Sequence, residues 1–257
     1  MRRKKLGALA MLASLSGWVI APTATAALID FEGFDAGTLI DDEYMSSFGV
    51  MISGTNIQRD DPRNVAAIFD SNAFTGGDKD LASPFSNTDG SDLGDINPGN
   101  ILILHERPND CVGNSCGSNP DDEGRRRAGF FEFSFAAPIL LQSIDFFDVE
   151  GEEAINFSSP IELFASHDLT GVPLLTPEVP NTGGDNQWTR VDFANVEIRS
   201  LRINMPGSGA IDNIKFEFAE VPVPSTLLMM ASLLPLLRGR DRQRIGGKPA
   251  ADGLYRS

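Results

Sequence analysis

Apolar residues in this chain recur at every second position, in short bursts, and that period constrains the fold more than any other feature. From Phe130 to Phe135 the aromatic residues alternate with Glu132 and Ser134. Leu201, Ile203 and Met205 alternate with Arg202 and Asn204, and Ile214, Phe216 and Phe218 with Lys215 and Glu217. Successive side chains of a strand point to opposite faces, so each burst lays one face on a core and the other toward solvent. Gly, Asn, Asp and Pro separate the bursts, as turns require. The pattern predicts strands over 28–34, 49–54, 65–70, 101–106, 129–135, 140–149, 161–165, 188–193, 200–205 and 211–218, with no sustained helical period between them. About ten strands without βαβ spacing predict an all-β domain over 27–220, a two-sheet β-sandwich of jelly-roll type. The aromatic rows read as core rather than as a ligand platform. No internal repeat is visible. Residues 71–100 and 107–127 form long polar stretches, and loops of that length in a compact domain are functional or mobile.

The ends of the chain differ from its middle. Of the 21 Lys and Arg, ten stand in the first 26 and last 20 residues, which leaves 34 acids against 11 bases between them. A surface this negative repels phosphate backbones and excludes nucleic acid as a partner of the folded part. At the N-terminus Arg2, Arg3, Lys4 and Lys5 precede an apolar run from Leu6 to Ala21, and Ala24, Thr25 and Ala26 follow in an A-x-A arrangement. This reads as a secretory signal peptide over 1–26, cut after Ala26; a membrane-anchoring helix is the alternative, against which the run is short and interrupted. At the C-terminus Val221, Pro222, Val223, Pro224, Ser225 and Thr226 open onto an apolar run from Leu227 to Leu237, and Arg238, Arg240, Arg242 and Arg244 close it. An apolar stretch stopped by an arginine cluster reads as a short transmembrane helix with the arginines left in the cytoplasm.

A Pro-rich motif, a short apolar helix and an Arg cluster in that order over 221–244 resemble the PEP-CTERM sorting signal of Gram-negative bacteria. The resemblance implies recognition by an exosortase, a membrane transpeptidase that removes the helix, and residues 245–257 follow the signal as a tail. It implies an exported protein with an inner-membrane intermediate, released to the cell surface or to an extracellular exopolysaccharide matrix. A plain C-terminal anchor is the alternative reading.

The middle gathers carboxylates at strand ends and in loops. Asp70 closes one strand, Asp78 and Asp80 follow it, Asp121, Asp122 and Glu123 are adjacent, and Asp145 and Asp148 lie on and just past another strand. Such groups repel one another, and a hard cation relieves that cost. Calcium takes six to eight oxygens in flexible geometry and suits Asp side chains mixed with loop carbonyls. A solvated acidic surface is the other reading, and no EF-hand loop is present. Cys111 and Cys116, close in sequence in an exported chain, are expected to form a disulfide. Residues 113–117 fit G-x-S-x-G but lack the strand before and the helix after that a nucleophile elbow needs. His105 beside Glu106 is a conceivable catalytic pair, and more simply a strand-end histidine.

Two further resemblances bear on the middle. The segments I-D-D-E-Y at 40–44, A-I-F-D-S at 67–71, T-G-G-D-K-D-L at 75–81, G-N-I-L-I-L at 99–104, P-D-D-E at 120–123 and I-D-F-F-D-V-E at 144–150 look like a group of secreted β-sandwich proteins, many with PEP-CTERM tails. That likeness implies fold and setting, and no activity. Residues 28–32 and 210–216 are similar to the first and last strands of jelly-roll carbohydrate-binding modules, where acids on those strands bind a structural calcium. It makes Glu32 and Asp212 metal candidates. Together these readings predict a non-catalytic, calcium-assisted binding module for surface carbohydrate or another envelope component. A polysaccharide-acting enzyme using paired carboxylates and a purely structural matrix protein are the alternatives.

Overall fold

A computed structural model describes residues 26–75, 78–87, 93–117, 119–150 and 158–219. Residues 1–25 of the expected signal peptide, the expected sorting motif of Val221, Pro222, Val223, Pro224 and Ser225, the expected transmembrane helix, and Arg238 and Arg240 lie outside the described residues. Among the described residues no helix is long and apolar enough to cross a membrane.

The strands are β1 (Ala26–Ile29), β2 (Val50–Asn56), β3 (Ala66–Asp70), β4 (Ser86–Asn87), β5 (Asn100–Leu104), β6 (Gly129–Phe147), β7 (Ile161–Phe164), β8 (Gln187–Met205) and β9 (Ala210–Phe218). They are joined in the order β3-β5-β9-β6-β8-β4, with β1 on β9, β2 on β6 and β7 on β8, and every pairing is antiparallel except β4 with β8. The described residues are therefore all-β, apart from one helical turn, α1 (Met45–Phe48), and a 3-10 turn at Pro108–Asp110.

Two pairs of expected strands turn out to be single long ones. Residues 129–135 and 140–149 join as β6, and 188–193 and 200–205 join as β8. Ala136, Ala137 and Pro138 break the apolar alternation between the two halves of β6 and so read as a boundary. The backbone runs on through them because β6 and β8 shift register together between Ser134 and Ile139, an irregularity that bends the strand without ending it. The first half of β6 pairs with β2, and the second half with β9. One continuous sheet thereby folds over, and both halves line one core with Phe131, Phe133, Phe135, Ile203, Leu102 and Phe216. β1 ends at Ile29 rather than at 34, because Phe31 takes a left-handed φ of 53° that leaves the pleat. The two-residue β4 is too short to carry a periodicity.

A second apolar cluster covers the opposite face of the strands around Ile101, Ile103 and Phe147. Leu81 and Phe85 from the first long loop and the Cys111–Cys116 disulfide from the second pack into it. Buried apolar side chains thus anchor both loops to the sheet, and this is what fixes the positions of their carboxylates.

Candidate cation sites

The loop carboxylates converge beyond one end of β5. Backbone hydrogen bonds from Glu106 to Asp121 and from Glu123 to Leu104 lay residues 121–123 alongside the end of β5, as a strand would lie. Thr75 Oγ1 donates to the Pro120 carbonyl at 2.7 Å and draws the first loop onto the second. The result brings carboxylate oxygens of Asp78, Asp121 and Asp122 within 4.8 Å of one another. Asp122 is buried and accepts the Gly209 N–H. Gly209 has a φ of +130°, and a Cβ there would stand 2.9 Å from the Phe147 carbonyl, so glycine alone brings that amide in so close.

Asp148 follows the end of β6. It is 3% exposed and its Oδ1 has no hydrogen-bond partner. Burial, then Asp78, Asp80 and Asp185, push its carboxyl up to about 8. Burial with Asp121 and Asp80 raises Asp78 to about 7, a hydrogen bond with Asp122 acting the other way. Burial and the Asp78 charge hold Asp122 well above the carboxylate range. Burial and Asp185 raise Asp80, which is exposed at the edge of the group. The sequence-predicted Asp78, Asp121 and Asp122 thus meet, and Asp80 and Asp148 act on Asp78 through their charge. Asp70 is not among them: it stands at the opposite end of β3, paired with Asn100, and its Oδ1 accepts the Asn72 N–H at 2.9 Å to close a turn. A strand-terminal Asp followed by Asn reads equally as a ligand or as such a turn, and here it makes the turn.

Glu32 and Asp212 meet in a second group, with Asp30, Asp145 and the Tyr44 hydroxyl. Asp212 on β9 is fully buried, and neither carboxylate oxygen has a hydrogen bond of good geometry. Burial, and behind it Asp145, Asp30 and Glu32, hold it well above the carboxylate range. The Tyr44 hydroxyl, also buried without a well-formed hydrogen bond, is pushed up by burial and by Asp30, Asp212 and Glu32. Its ring is held edge-on to Phe31 and Phe34 and stacked on Phe48, at centroid distances of 5.8 to 6.0 Å. Glu32 Oε1 accepts the Asn100 N–H at 2.8 Å. Asp145 is bound by Arg190 through two hydrogen bonds of 2.6 and 2.8 Å, which answers its charge. Asp212 has no such counter-ion. Neither Tyr44 nor Asp30 belonged to the sequence-predicted set, since an isolated Tyr in a turn carries no pattern. Beside this group a groove of about 600 Å³ is lined by polar side chains, among them Asp30, Glu32, Arg190 and Lys215, and by apolar ones, among them Leu28 and Ile96.

The other sequence candidates are placed plainly. His105 is buried, its Nδ1 lies 3.0 Å from the Asp121 carbonyl, and its Nε2 has no partner. Glu106 faces Arg59 and Arg107 instead, at 2.8 and 3.3 Å, so the two side chains do not act on one point. The G-x-S-x-G segment is the turn closed by the disulfide, with Val112 bridged to Ser115.

The chain matches no protein-family model and no curated protein. Among solved structures it is similar to discoidin II from Dictyostelium discoideum, at 10% identity over 68% of this chain and 57% of that one, with a TM-score of 0.33. It is also similar to the family 32 carbohydrate-binding module of C. perfringens NanJ in complex with galactose, at 12% identity over 71% and 98% of the two chains and a TM-score of 0.28. For a Streptococcus pneumoniae fucose binding module the values are 13%, 38%, 68% and 0.25.

Proposed function

We propose that this protein is an exported, non-catalytic binding module, a jelly-roll-type sandwich stabilised by calcium, that recognises surface carbohydrate or another envelope component. The reading includes a signal peptide removed after Ala26 and an exosortase-processed tail over 221–244. The observation that carries the calcium is Asp212. A fully buried carboxylate with both oxygens unanswered, beside Asp30 and Glu32, costs several kcal/mol unless a proton or a cation neutralises it. Asp30, Glu32 and Asp212 would hold the ion, and an all-oxygen set of carboxylates suits a hard cation of calcium's flexible coordination. Bound calcium would tie β1 to β9, the pair that carries the first described residues and the last strand.

Thermal melts in calcium and in EDTA test this reading. At calcium 100-fold above its dissociation constant the linkage is worth about 2.7 kcal/mol, roughly 5–10 °C for a domain of this size. Asp212→Asn is expected to abolish most of that shift while leaving the protein folded. No difference between calcium and EDTA would remove calcium from the reading.

A further inference from the structure

We propose that His105, Cys111 and Cys116 form a soft-metal site that reduction of the disulfide opens, taking one divalent ion of the zinc class in place of the bond between the two sulfurs. Its ligands, its metal and its readout are distinct from those of the calcium proposed at Asp212.

Strand alternation brings the imidazole to the cysteines. His105 directly follows β5 and continues the face of Ile101 and Ile103, on which Cys111 and Cys116 pack. His105 is fully buried and the two cysteines are 6% and 2% exposed. A ring nitrogen of His105 and both sulfurs lie within 4.8 Å of one another. Backbone hydrogen bonds hold the cysteines in place independently of the bond between them. The Cys111 N–H donates to the Pro108 carbonyl at 3.1 Å, the Cys116 N–H to the Gly37 carbonyl at 2.8 Å, and the Val112 N–H to the Ser115 carbonyl at 2.7 Å. Opening the disulfide therefore leaves both sulfurs beside the imidazole.

The imidazole itself points to a ligand. Its Nδ1 is held by the Asp121 backbone, 3.0 Å from the carbonyl oxygen and 3.3 Å from the amide nitrogen. The carbonyl is the nearer partner, which puts the proton on Nδ1 and leaves Nε2 bare, and Nε2 has no hydrogen-bond partner. A buried polar atom without a partner is uncommon and costs free energy. A histidine that binds metal has this arrangement, with one nitrogen fixed by a backbone carbonyl and the other free for the ion. Burial lowers its pKa and so keeps the ring in the neutral form that ligates. A disulfide sulfur carries no proton to donate, so the closed bond leaves Nε2 unanswered.

Charge and softness select the ion. Two thiolates and a neutral imidazole bring two negative charges, and a divalent cation cancels them. That balance matters where Leu39, Ala67, Phe69 and Phe147 make the surroundings apolar. Sulfur and imidazole ligands suit an ion of the zinc class, whereas calcium takes oxygen. The fourth position falls to water, which the exposed turn over 112–115 admits. The chemistry balances. A dithiol reductant delivers two electrons and two protons to the disulfide by exchange through a mixed disulfide, and leaves as its own disulfide. The ion then displaces both thiol protons to solvent. A newly made chain holds the same two thiols until it is oxidised.

The test is zinc titration calorimetry on the purified protein, oxidised in one arm and in the other reduced with a dithiol and desalted without oxygen. The reduced protein is expected to take one zinc per chain, and the oxidised protein none at this site. Titrations in two buffers of different ionisation heat should show about two protons released per ion, as two thiols require. His105→Gln should weaken binding by about tenfold or more, and Cys111→Ser with Cys116→Ser should abolish it. Melts without metal establish that each variant is folded. X-ray absorption of the reduced, zinc-loaded protein needs no variant: two sulfurs at about 2.3 Å and a nitrogen at about 2.0–2.1 Å are expected. Equal binding by the oxidised protein, no binding by the reduced one, or a zinc shell without an imidazole nitrogen overturns the site. None of these outcomes touches the calcium reading, which melts of the oxidised protein in calcium and in EDTA decide.

Discussion

Single residues decide how the two acidic groups behave. Asp212→Asn removes a buried charge at nearly constant volume, so in EDTA it should raise the melting temperature while in calcium it lowers it; a calorimetric melt in each buffer reads this reversal of sign. Gly99 is a second such position. Its φ is +76°, and a Cβ there would stand 2.2 Å from Glu32 Oε1. Gly99→Ala should cost about 1–3 kcal/mol by urea unfolding and weaken calcium binding with it, because the displaced carboxylate is one of the proposed ligands. The loop group predicts a pH dependence. Burial and mutual repulsion raise Asp78 to about 7 and Asp148 to about 8 in the fold, against 3.8 for an unperturbed Asp. The folded state therefore holds more protons than the unfolded one between pH 4 and 8. In EDTA the stability should fall as the pH rises through that window, with Asp80, Asp121 and Asp122 sharing in the effect, and calcium should flatten the fall. Melting temperatures from pH 5 to 8.5 in both buffers check the sign.

At the scale of elements, the long strands and the anchored loops carry the architecture. β6 and β8 belong to both halves of the sheet, so they, rather than any loop, connect the two sides of the core. Ala194 and Asn195, with φ of 49° and 58°, bend β8 where β6 is irregular, and the apolar pattern lapses at both places. A periodicity scan therefore reads each strand as two. The disulfide acts at this scale as well. It closes five residues of separation in the loop that bears Asp121 and Asp122, and a loop of that size restricts the unfolded chain by about 2 kcal/mol. Cys111→Ser with Cys116→Ser should cost about that much in urea unfolding.

For the whole molecule, the sheet places both ends of the domain together. Ala26 pairs with Glu217 and Ala27 with Phe216, so a cut after Ala26 removes one rung and keeps the rest of β1 on β9. Mass spectrometry of the exported protein is expected to give Ala27 as the first residue and a mass lacking the residues after the Pro-rich motif. What the sequence by itself determined is what depends on local period and local composition: the all-β class, most strand positions, the excess of acid and the pool of carboxylates from which both groups are drawn. Period and composition act over a few neighbouring residues, so a linear reading can see them. Only the tertiary structure decided which carboxylates meet. Asp78 and the adjacent Asp121 and Asp122 come from two separate loops drawn together by Thr75 and the end of β5, and Asp212 finds Asp30 and Tyr44 across a strand pairing. It also set Asp70 aside, and it buried Asp212 and Asp148 without partners while leaving Asp121 at a cleft. Those outcomes follow from long-range packing, in which burial and the absence of a counter-ion are properties of the assembled neighbourhood and of no single stretch of chain.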